Sequence, residues 1–348
     1  HFTARGALEA LGAGLEFKNG WLALRANFAT VARDGKTLVD RRVGRSLTSK
    51  EAAALARELN SKVALAGAQF VFKATVAHRG ALVIRAREKL SGKISNIDPA
   101  YARVKGMGAA RVEFKHEVEE CVPLEKTRAA QLAAKLVNEF TIKANRVLEE
   151  SQVNKKRVAR GLLPANAVLL RDAESNAVPP KKKMAGWIML ADMPLEIGIG
   201  RFLGMTVISL PTPAAALSKK EYALRVKKTL AALRTVKEGC GVYVHVKGPD
   251  LFGHDGDALG KTKCIKEIDA SFIAPLAKKI DWARTRALIT ADHSTPCALR
   301  AHSADAVPVL LVGAQVKADG SREWSERECA ARGSVRCASS ELREMLEQ

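Results

Sequence analysis

The sequence is poor in cysteine and aromatic residues, and it contains no long apolar run. Its six cysteines form no C-x-x-C pair and no compact framework, so we expect reduced thiols in a cytoplasmic or organelle-matrix protein, the mitochondrial matrix included. No apolar stretch is long enough to span a bilayer, so we expect no membrane protein. An apolar fraction of 47% over 348 residues is typical of a globular chain and leaves room for two domains.

Acidic residues are also scarce. The chain has 37 Asp and Glu against 57 Lys and Arg, which gives a formal net charge of +20. Such a charge attracts anions, whether small phosphorylated substrates or nucleic acid. Because the positive residues are spread along the chain, with residues 181–183 as the one compact lysine run, no RNA-binding motif follows from the charge alone.

Aspartate and histidine cluster after two short apolar segments. Asp250 and His254 follow the segment 242–246 among glycines, while Asp292 and His293 come directly after the segment 287–291, with His302 shortly behind. An open α/β sheet places its ligand-binding loops at such strand ends. These five side chains are therefore candidates for a metal site.

The chemistry of the two residue types supports a metal site. Carboxylate oxygen and imidazole nitrogen suit zinc, manganese or a similar divalent ion. Because neighbouring residues of an extended loop point to different sides, Asp292 and His293 are expected to serve two ions, as in the two-metal sites of phosphoryl transfer. Each candidate taken alone is more simply an ordinary polar loop residue, whereas the five together favour a metal site, and Cys297 close behind the pair is most simply a packed thiol.

The first half of the chain predicts mixed α and β elements. Thr48 and Glu51 form a capping box before a helix at 52–59, and the strongest helical pattern covers 125–149, where apolar residues share one face. Strands are predicted at 70–76, 81–85 and 167–170, and a hairpin region at 1–48 with turns at Asn19-Gly20 and Asp34-Gly35.

From Met184 onward, helices and strands alternate. Helices are predicted at 194–203, 219–237, 259–280 and from 340, and strands at 205–210, 242–246, 287–291 and 307–312. Such alternation predicts an α/β fold with a mostly parallel sheet and helices on both faces. The polar connector at 178–183 marks a boundary. We therefore expect a smaller α+β domain over 16–180, inserted into a core formed by 1–15 and 181–348.

Short motifs recur in a fixed order along essentially the whole chain. They are Arg5-Gly6, 8–14, 25–30, 40–45, His78-Arg79, 97–99, 164–166, 245–250, 253–257, 291–296 and His302-Ser303. In these motifs and their order the chain resembles the archaeal-type cofactor-independent phosphoglycerate mutases of the alkaline phosphatase superfamily. The resemblance implies an alkaline-phosphatase-like fold and an isomerase of glycolysis that converts 3-phosphoglycerate to 2-phosphoglycerate and back through a phosphoserine.

The resemblance also implies a metal requirement and no organic cofactor. It assigns Asp250, His254 and His302 to one divalent ion, and Asp292 and His293 to a second, the ions being Mn, Zn or Mg. A phosphoryl group held between two such ions is stabilised as charge develops on its oxygens.

Four further residues take implied roles in the same reaction. Lys247 would face the phosphoryl group, and His78, Arg79 and Arg171 would hold the glycerate end of the substrate. Forked arginine donors suit carboxylate and phosphate oxygens. For His78, Arg79 and Arg171 individually, a structural or solvated role is an equal alternative.

The chain also departs from the family pattern. The family's N-terminal segment supplies a core strand, an Asp ligand and the nucleophilic Ser, and this chain begins at His1, just after that segment's expected end. We expect a removed leader or residues upstream, and no mutase activity from residues 1–348 alone. Ala4, Asp172 and 211–215 stand where the family usually has Gly, and an acid next to Arg171 is expected to weaken anion binding.

Two functions from different classes remain open. The first is the metal-dependent mutase, with phosphoglycerate as its partner. The second is a catalytically inactive, mutase-derived structural subunit of a basic assembly that contains RNA, similar to an organellar ribosome. The charge, the missing nucleophile and the altered glycines favour the subunit, whereas the complete set of five ligand candidates favours the enzyme, which we prefer.

Overall fold

The computed structural model describes residues 5–104, 107–111, 113–178, 183–212 and 218–347. Ala4, residues 179–182 of the predicted boundary at 178–183 and residues 213–215 of the altered turn lie outside these residues. The chain divides into two units, one formed by His1–Ala185 with Ala191–Thr212 and the other by Gly186–Leu190 with Pro213–Gln348.

The first part of the chain contains α1 (Arg5–Gly12), β1 (Leu22–Val31), β2 (Leu38–Asp40), α2 (Ser49–Lys62), β3 (Ala68–Ala74), β4 (Arg79–Ala86), β5 (Tyr101–Val104), β6 (Met107–Ala110), α3 (Arg128–Glu149), α4 (Gln152–Ala159) and β7 (Ala167–Glu174). The later part contains β8 (Ile188–Ala191), α5 (Pro194–Leu203), β9 (Thr206–Ser209), α6 (Lys219–Leu233), β10 (Val242–Val244), α7 (Pro249–Asp255), α8 (Ala258–Ile268), α9 (Ala274–Ala277), β11 (Arg286–Ile289), β12 (Leu310–Gly313), α10 (Glu326–Arg332) and α11 (Leu342–Glu347).

Local sequence signals account for the helices that were predicted well. Thr48 and Glu51 form the predicted capping box of α2, and α3 begins after Thr127, whose hydroxyl accepts a hydrogen bond from the Ala130 amide. The helix predicted at 259–280 is interrupted instead, because α8 and α9 are joined by a π-helical turn at Asp269–Ile273. Pro275 lacks the N–H that a continuous α-helix needs at this point.

The first unit is built on an antiparallel sheet of five strands. Its order is β2-β1-β4-β3. The fifth strand, β7, pairs with β1 on the edge opposite to β4. Alternate side chains of β1 face opposite sides, as the strand period requires. Leu24 and Phe28 join Leu55 of α2 and Phe140 of α3 in one large apolar cluster, so the two helices cover that face of the sheet.

The opposite face of this sheet is covered by α1. Ala7 and Ala10 of α1 pack with Ala23 of β1 and Val83 of β4. A side chain at Gly6 would lie 2.5 Å from the Ala23 carbonyl oxygen, so a glycine at this position lets the helix rest on the strand. Arg25 and Asn27 extend from β1 on the same side as Ala23, and Arg25 contacts Glu9 of α1 at 3.3 Å.

The second unit combines a parallel strand pair with an antiparallel one. β8 and β10 pair in parallel, with Val242 opposite Ile188, and α6 lies between them in sequence. β11 and β12 pair antiparallel, since the connection between them contains no crossover helix and carries the Asp-His loop instead. Among the described residues, no helix combines the length and the apolar character that crossing a bilayer requires.

Candidate functional site

Asp250 and His254 lie on the short helix α7 of the second unit. Gly248 adopts a φ of 151°, and Pro249 occupies the first turn, where a proline fits without losing a hydrogen bond. Residues four apart on a helix share one face, so the two side chains point to the same place. The sequence predicted a loop here, because a helix of seven residues is too short to show apolar periodicity; the Gly-Pro pair was the available signal.

His302 completes a group of three donors with this helix. Its Nε2 atom lies 3.1 Å from Nε2 of His254, and both nitrogens lie 3.5 Å from Oδ1 of Asp250. A tetrahedral ion bonded to such atoms at about 2.1 Å spaces them about 3.4 Å apart. The three side chains therefore fit a divalent ion, and among the described residues they are the one group of three or more such donors.

Contacts with the backbone hold His254 and the segment that carries His302. Nδ1 of His254 lies 3.0 Å from the Arg300 carbonyl oxygen, to which it donates, so Nε2 carries the free lone pair. His302 is anchored by a bridge between Ser294 and Ser303. Burial and then the neighbouring His293 lower the pKa of His302, which favours its neutral form.

Asp292 and His293 do not point to different sides, contrary to the expectation from an extended loop. Oδ1 of Asp292 accepts a hydrogen bond from the His293 amide at 3.0 Å, which turns the carboxylate back. Its Oδ2 then lies 3.2 Å from Nε2 of His293. The His293 ring stacks on His302 with centroids 3.6 Å apart, so this pair lies beside the first group and offers two donors of its own.

Thr295 was not singled out by the sequence analysis, yet it touches both groups of donors. Its hydroxyl donates to Oδ1 of Asp250 at 2.8 Å and lies 3.1 Å from Nδ1 of His293. The residue is 4% exposed. Its position in the run Asp292-His293-Ser294-Thr295 was the available signal, but the partner Asp250 is distant in sequence.

Lys247 and Cys297 lie near these groups in the chain. Lys247 is partly buried between β10 and α7, and it has no hydrogen bond or ion pair with any described residue, which leaves its ammonium group available. The thiol of Cys297 is directed at the Phe252 carbonyl oxygen at 3.9 Å, in agreement with a packed thiol.

His78, Arg79 and Arg171 lie together in the first unit. Burial, followed by the charges of Arg79, Arg42, Arg171 and Arg45, lowers the pKa of His78 to about 3. His78 is therefore neutral near pH 7 and can donate or accept hydrogen bonds without adding charge. The influence of Arg42 and Arg45 shows that the basic group is larger than the sequence predicted.

A left-handed turn presents Arg42 and Arg45 to this basic group. Val43, Gly44 and Arg45 have φ values of 55°, 59° and 55°, which is strained for a β-branched residue such as Val43. Oδ1 of Asp40 holds the turn by accepting hydrogen bonds from the Arg42 and Gly44 amides at 2.7 and 2.8 Å.

Arg171 faces the interior of the first unit. It is 4% exposed, donates to Oδ2 of Asp98 at 3.1 Å, and lies over the Tyr101 ring at 4.7 Å. Arg41 binds the same carboxylate with two hydrogen bonds of 3.0 and 2.9 Å. The Arg171 guanidinium is thus already bound within the protein.

Asp172 pairs with Arg25 and not with Arg171. Its Oδ2 lies 3.4 Å from Nη1 of Arg25, and Nε of the same arginine lies 3.3 Å from Oε2 of Glu9. The contact that the Asp172 carboxylate makes is therefore with Arg25, and the expected weakening of anion binding at Arg171 stays a prediction. Asp172 has a φ of 56°, a conformation that glycine adopts without strain.

Family models match both halves of the chain. Residues 1–154 match the model for 2,3-bisphosphoglycerate-independent phosphoglycerate mutase, and residues 188–346 match the model of the metalloenzyme superfamily. The second match supports a requirement for a divalent metal.

Curated relatives and solved structures agree with these matches. The chain is 40% identical to the 2,3-bisphosphoglycerate-independent phosphoglycerate mutase of Aeropyrum pernix, covering 89% of this chain and 74% of that protein. It is 38% identical to mutase 1 of Archaeoglobus fulgidus, covering 98% and 80%. The cofactor-independent phosphoglycerate mutase from Thermoplasma acidophilum superposes with a TM-score of 0.60 and 28% identity, covering 99% and 82%. A Pyrococcus horikoshii protein at 24% identity shares the fold, with a TM-score of 0.69 and coverages of 95% and 74%.

Proposed function

Because this chain belongs to the family of 2,3-bisphosphoglycerate-independent phosphoglycerate mutases, we propose that it interconverts 3-phosphoglycerate and 2-phosphoglycerate with divalent metal ions. The observation that carries this proposal is the convergence of Asp250, His254 and His302, whose donor atoms all lie within 4.8 Å of one another. The metalloenzyme match covers the same part of the chain.

In this proposal the two groups of donors hold two ions, which are Mn, Zn or Mg. Asp250, His254 and His302 hold one, and Asp292 with His293 contributes two ligands to the other. When bound, the ions stabilise charge on the phosphoryl oxygens. Neighbouring groups of the chain orient these ligands. The Arg300 carbonyl oxygen accepts a hydrogen bond from His254, and the His293 ring stacks on His302.

Lys247 is proposed to contact the phosphoryl group. A lysine ammonium group acts as a compact positive charge with three hydrogen-bond donors. No described residue occupies this ammonium group with an ion pair, so it is available to a phosphoryl oxygen. Because its side chain is only partly buried, it keeps the freedom to follow the oxygen as the phosphoryl group moves.

The basic group of the first unit is proposed to bind the glycerate end of the substrate. His78 is neutral near pH 7 because of its lowered pKa and can hydrogen-bond a hydroxyl group, while Arg79 offers a forked pair of donors to a carboxylate. Arg171 belongs to the same group, where it adds positive field and holds Tyr101 and Asp98 in place. We also propose that 16–180 is an inserted domain that carries this group, with 1–15 and 181–348 as the core.

The test is conversion of 3-phosphoglycerate to 2-phosphoglycerate by residues 1–348 joined to an N-terminal segment that supplies the expected Asp and Ser, because residues 1–348 alone are expected to be inactive. The protein is stripped of metal with a chelator, reloaded with Mn, Zn or Mg in turn, and assayed by coupling to enolase. We expect activity only after reloading, and a loss of about a hundredfold or more in His254→Ala and His302→Ala. His116→Ala, an exposed histidine of the first unit, is the matched control. Full activity without metal, or in His302→Ala, would contradict the proposal.

The alternative of a structural subunit in an RNA-containing assembly is not supported by the matched proteins. The reported relatives carry mutase names. The net charge of +20 can be explained without RNA, because a positive field raises the local concentration of an anionic substrate.

A further inference from the structure

Thr295 links the two groups of ligand candidates through one hydroxyl. The oxygen donates its proton to Oδ1 of Asp250 at 2.8 Å, the same carboxylate oxygen that lies 3.5 Å from the nitrogens of His254 and His302. On its other side it lies 3.1 Å from Nδ1 of His293. A single side chain thus contacts a member of each group.

The direction of these hydrogen bonds determines the tautomer of His293. A hydroxyl has one proton, and that of Thr295 is used on Asp250, so the oxygen can only accept from the imidazole. Nδ1 of His293 must therefore carry a ring proton, so the lone pair that an ion needs can only be that of Nε2. This is the nitrogen that lies 3.2 Å from Oδ2 of Asp292, where the second group offers its donors.

The backbone of Thr295 is fixed to the helices that carry the first group. Lys261 of α8 donates from Nζ to the Thr295 carbonyl oxygen at 2.9 Å. Gly253 of α7 packs so closely that an added Cβ would lie 2.5 Å from that oxygen and 2.9 Å from the Thr295 methyl group. Both contacts place the hydroxyl with little freedom, in a side chain that is 4% exposed.

We propose that Thr295 is a positioning residue that orients Asp250 and His293 together, so that each of the two metal-binding groups depends on the same hydroxyl. The inference rests on the proposed metal binding and deepens it, because it names a residue that contacts no ion yet controls both ligand sets. Partners of this kind typically change metal affinity by about 10- to 100-fold.

The test uses Thr295→Val, which keeps the shape and removes the hydroxyl, and Thr295→Ser, which keeps the hydroxyl. Mn²⁺ and Zn²⁺ binding to the metal-free protein is followed by calorimetry. We expect Thr295→Val to weaken binding about tenfold or more at both groups and Thr295→Ser to stay within about threefold of the original protein. Thr262→Val is the matched control, because its hydroxyl bonds only within α8, to the Ala258 carbonyl.

A second measurement reads the tautomer directly in the metal-free protein. Long-range ¹H–¹⁵N spectra of labelled histidine should show His293 protonated at Nδ1 in the original protein and in Thr295→Ser, and a mixture in Thr295→Val. Should Thr295→Val fail to fold, Thr295→Ala takes its place in both measurements, and the rescue by serine remains the comparison.

The outcomes separate this inference from the proposed function. Unchanged metal affinity in Thr295→Val, or a His293 without a proton on Nδ1 in the original protein, would overturn the positioning role. A hydroxyl-dependent affinity in a protein without mutase turnover would support the positioning role and reject the proposed reaction.

Discussion

The Nε2 atoms of His254 and His302 lie 3.1 Å apart and point at the same oxygen of Asp250. An ion shared by these atoms binds the folded chain and not the unfolded one, so it adds to stability. We expect Mn²⁺ or Zn²⁺ at about a hundred times its dissociation constant to stabilise the protein by about 2.7 kcal/mol, measured as a rise in the thermal midpoint.

Removal of one ligand should reduce that effect, since the first group of donors is then incomplete. His302→Ala is expected to show a smaller metal-dependent rise in the thermal midpoint, whereas His116→Ala, far from the donors in sequence and exposed, should keep the full shift. A shift in His302→Ala as large as that of the original protein would mean that His302 does not hold an ion.

Gly253→Ala should destabilise the second unit even though alanine is the better helix former. Alanine gains about 1 kcal/mol over glycine inside a helix, but at this position its methyl group would lie 2.5 Å from the Thr295 carbonyl oxygen. We expect a lower unfolding midpoint in urea together with weaker metal binding. Gly320→Ala, which meets nothing within 4 Å, should change stability by less than about 0.5 kcal/mol.

Asp172 offers a comparison between two substitutions at one site. Both Asp172→Gly and Asp172→Ala remove the 3.4 Å contact with Arg25, which keeps its contact with Glu9. Only glycine relieves the left-handed φ of 56°, a conformation that costs about 1 to 2 kcal/mol for other residues. We therefore expect Asp172→Ala to be less stable than Asp172→Gly by about 1 kcal/mol in urea unfolding; equal stabilities would show that the backbone is unstrained.

The lowered pKa of His78 predicts a loss of stability in mild acid. Burial and the nearby arginines lower this pKa to about 3 in the folded protein, against about 6.5 in the unfolded chain. The unfolded state therefore binds the proton first as the pH falls. The stability that neutral His78 contributes is complete above about pH 6.5 and is lost progressively between that pH and about pH 3.

His78→Gln removes this titration and should flatten the corresponding part of the stability profile. Urea unfolding at pH 7, 5.5 and 4 should show a steeper decline for the original protein than for His78→Gln. His116→Gln, at an exposed position, should follow the original protein. Parallel profiles for all three would exclude a buried neutral His78.

Local signals in the sequence predicted much of the fold. The helix at 194–203 has the predicted bounds, because Pro194 opens it and Gly204 ends it in the left-handed conformation. The capping box at Thr48 fixed the start of α2 equally well. These signals involve residues within one or two helical turns of each other, so the helix ends can be predicted without knowing any tertiary contact.

The site depends on contacts that no local pattern contains. The sequence predicted that Asp250 and His302 belong to one site. The predicted orientation of Asp292 was wrong, because its carboxylate accepts a hydrogen bond from the His293 amide and is turned back toward that residue. The role of the Thr295 hydroxyl depends on its contact with Asp250, which is remote in sequence, so no local pattern could predict it. Likewise Arg45 reaches the basic group through a turn whose φ values are unusual for its residues.

The contact between α1 and α5 has a consequence for synthesis of the protein on the ribosome. Gly12 packs directly on the Pro194 backbone, and Gly198 packs on the Leu8 backbone, so the two helices meet where neither has a side chain. During translation α1 emerges long before α5. The surface of α1 around Gly12 therefore stays exposed until α5 has been translated. Long-range closure of this kind slows folding and exposes apolar surface in the nascent chain. The first unit is thus completed late, because residues 191–212 of that unit follow residues 186–190 of the second unit in the chain.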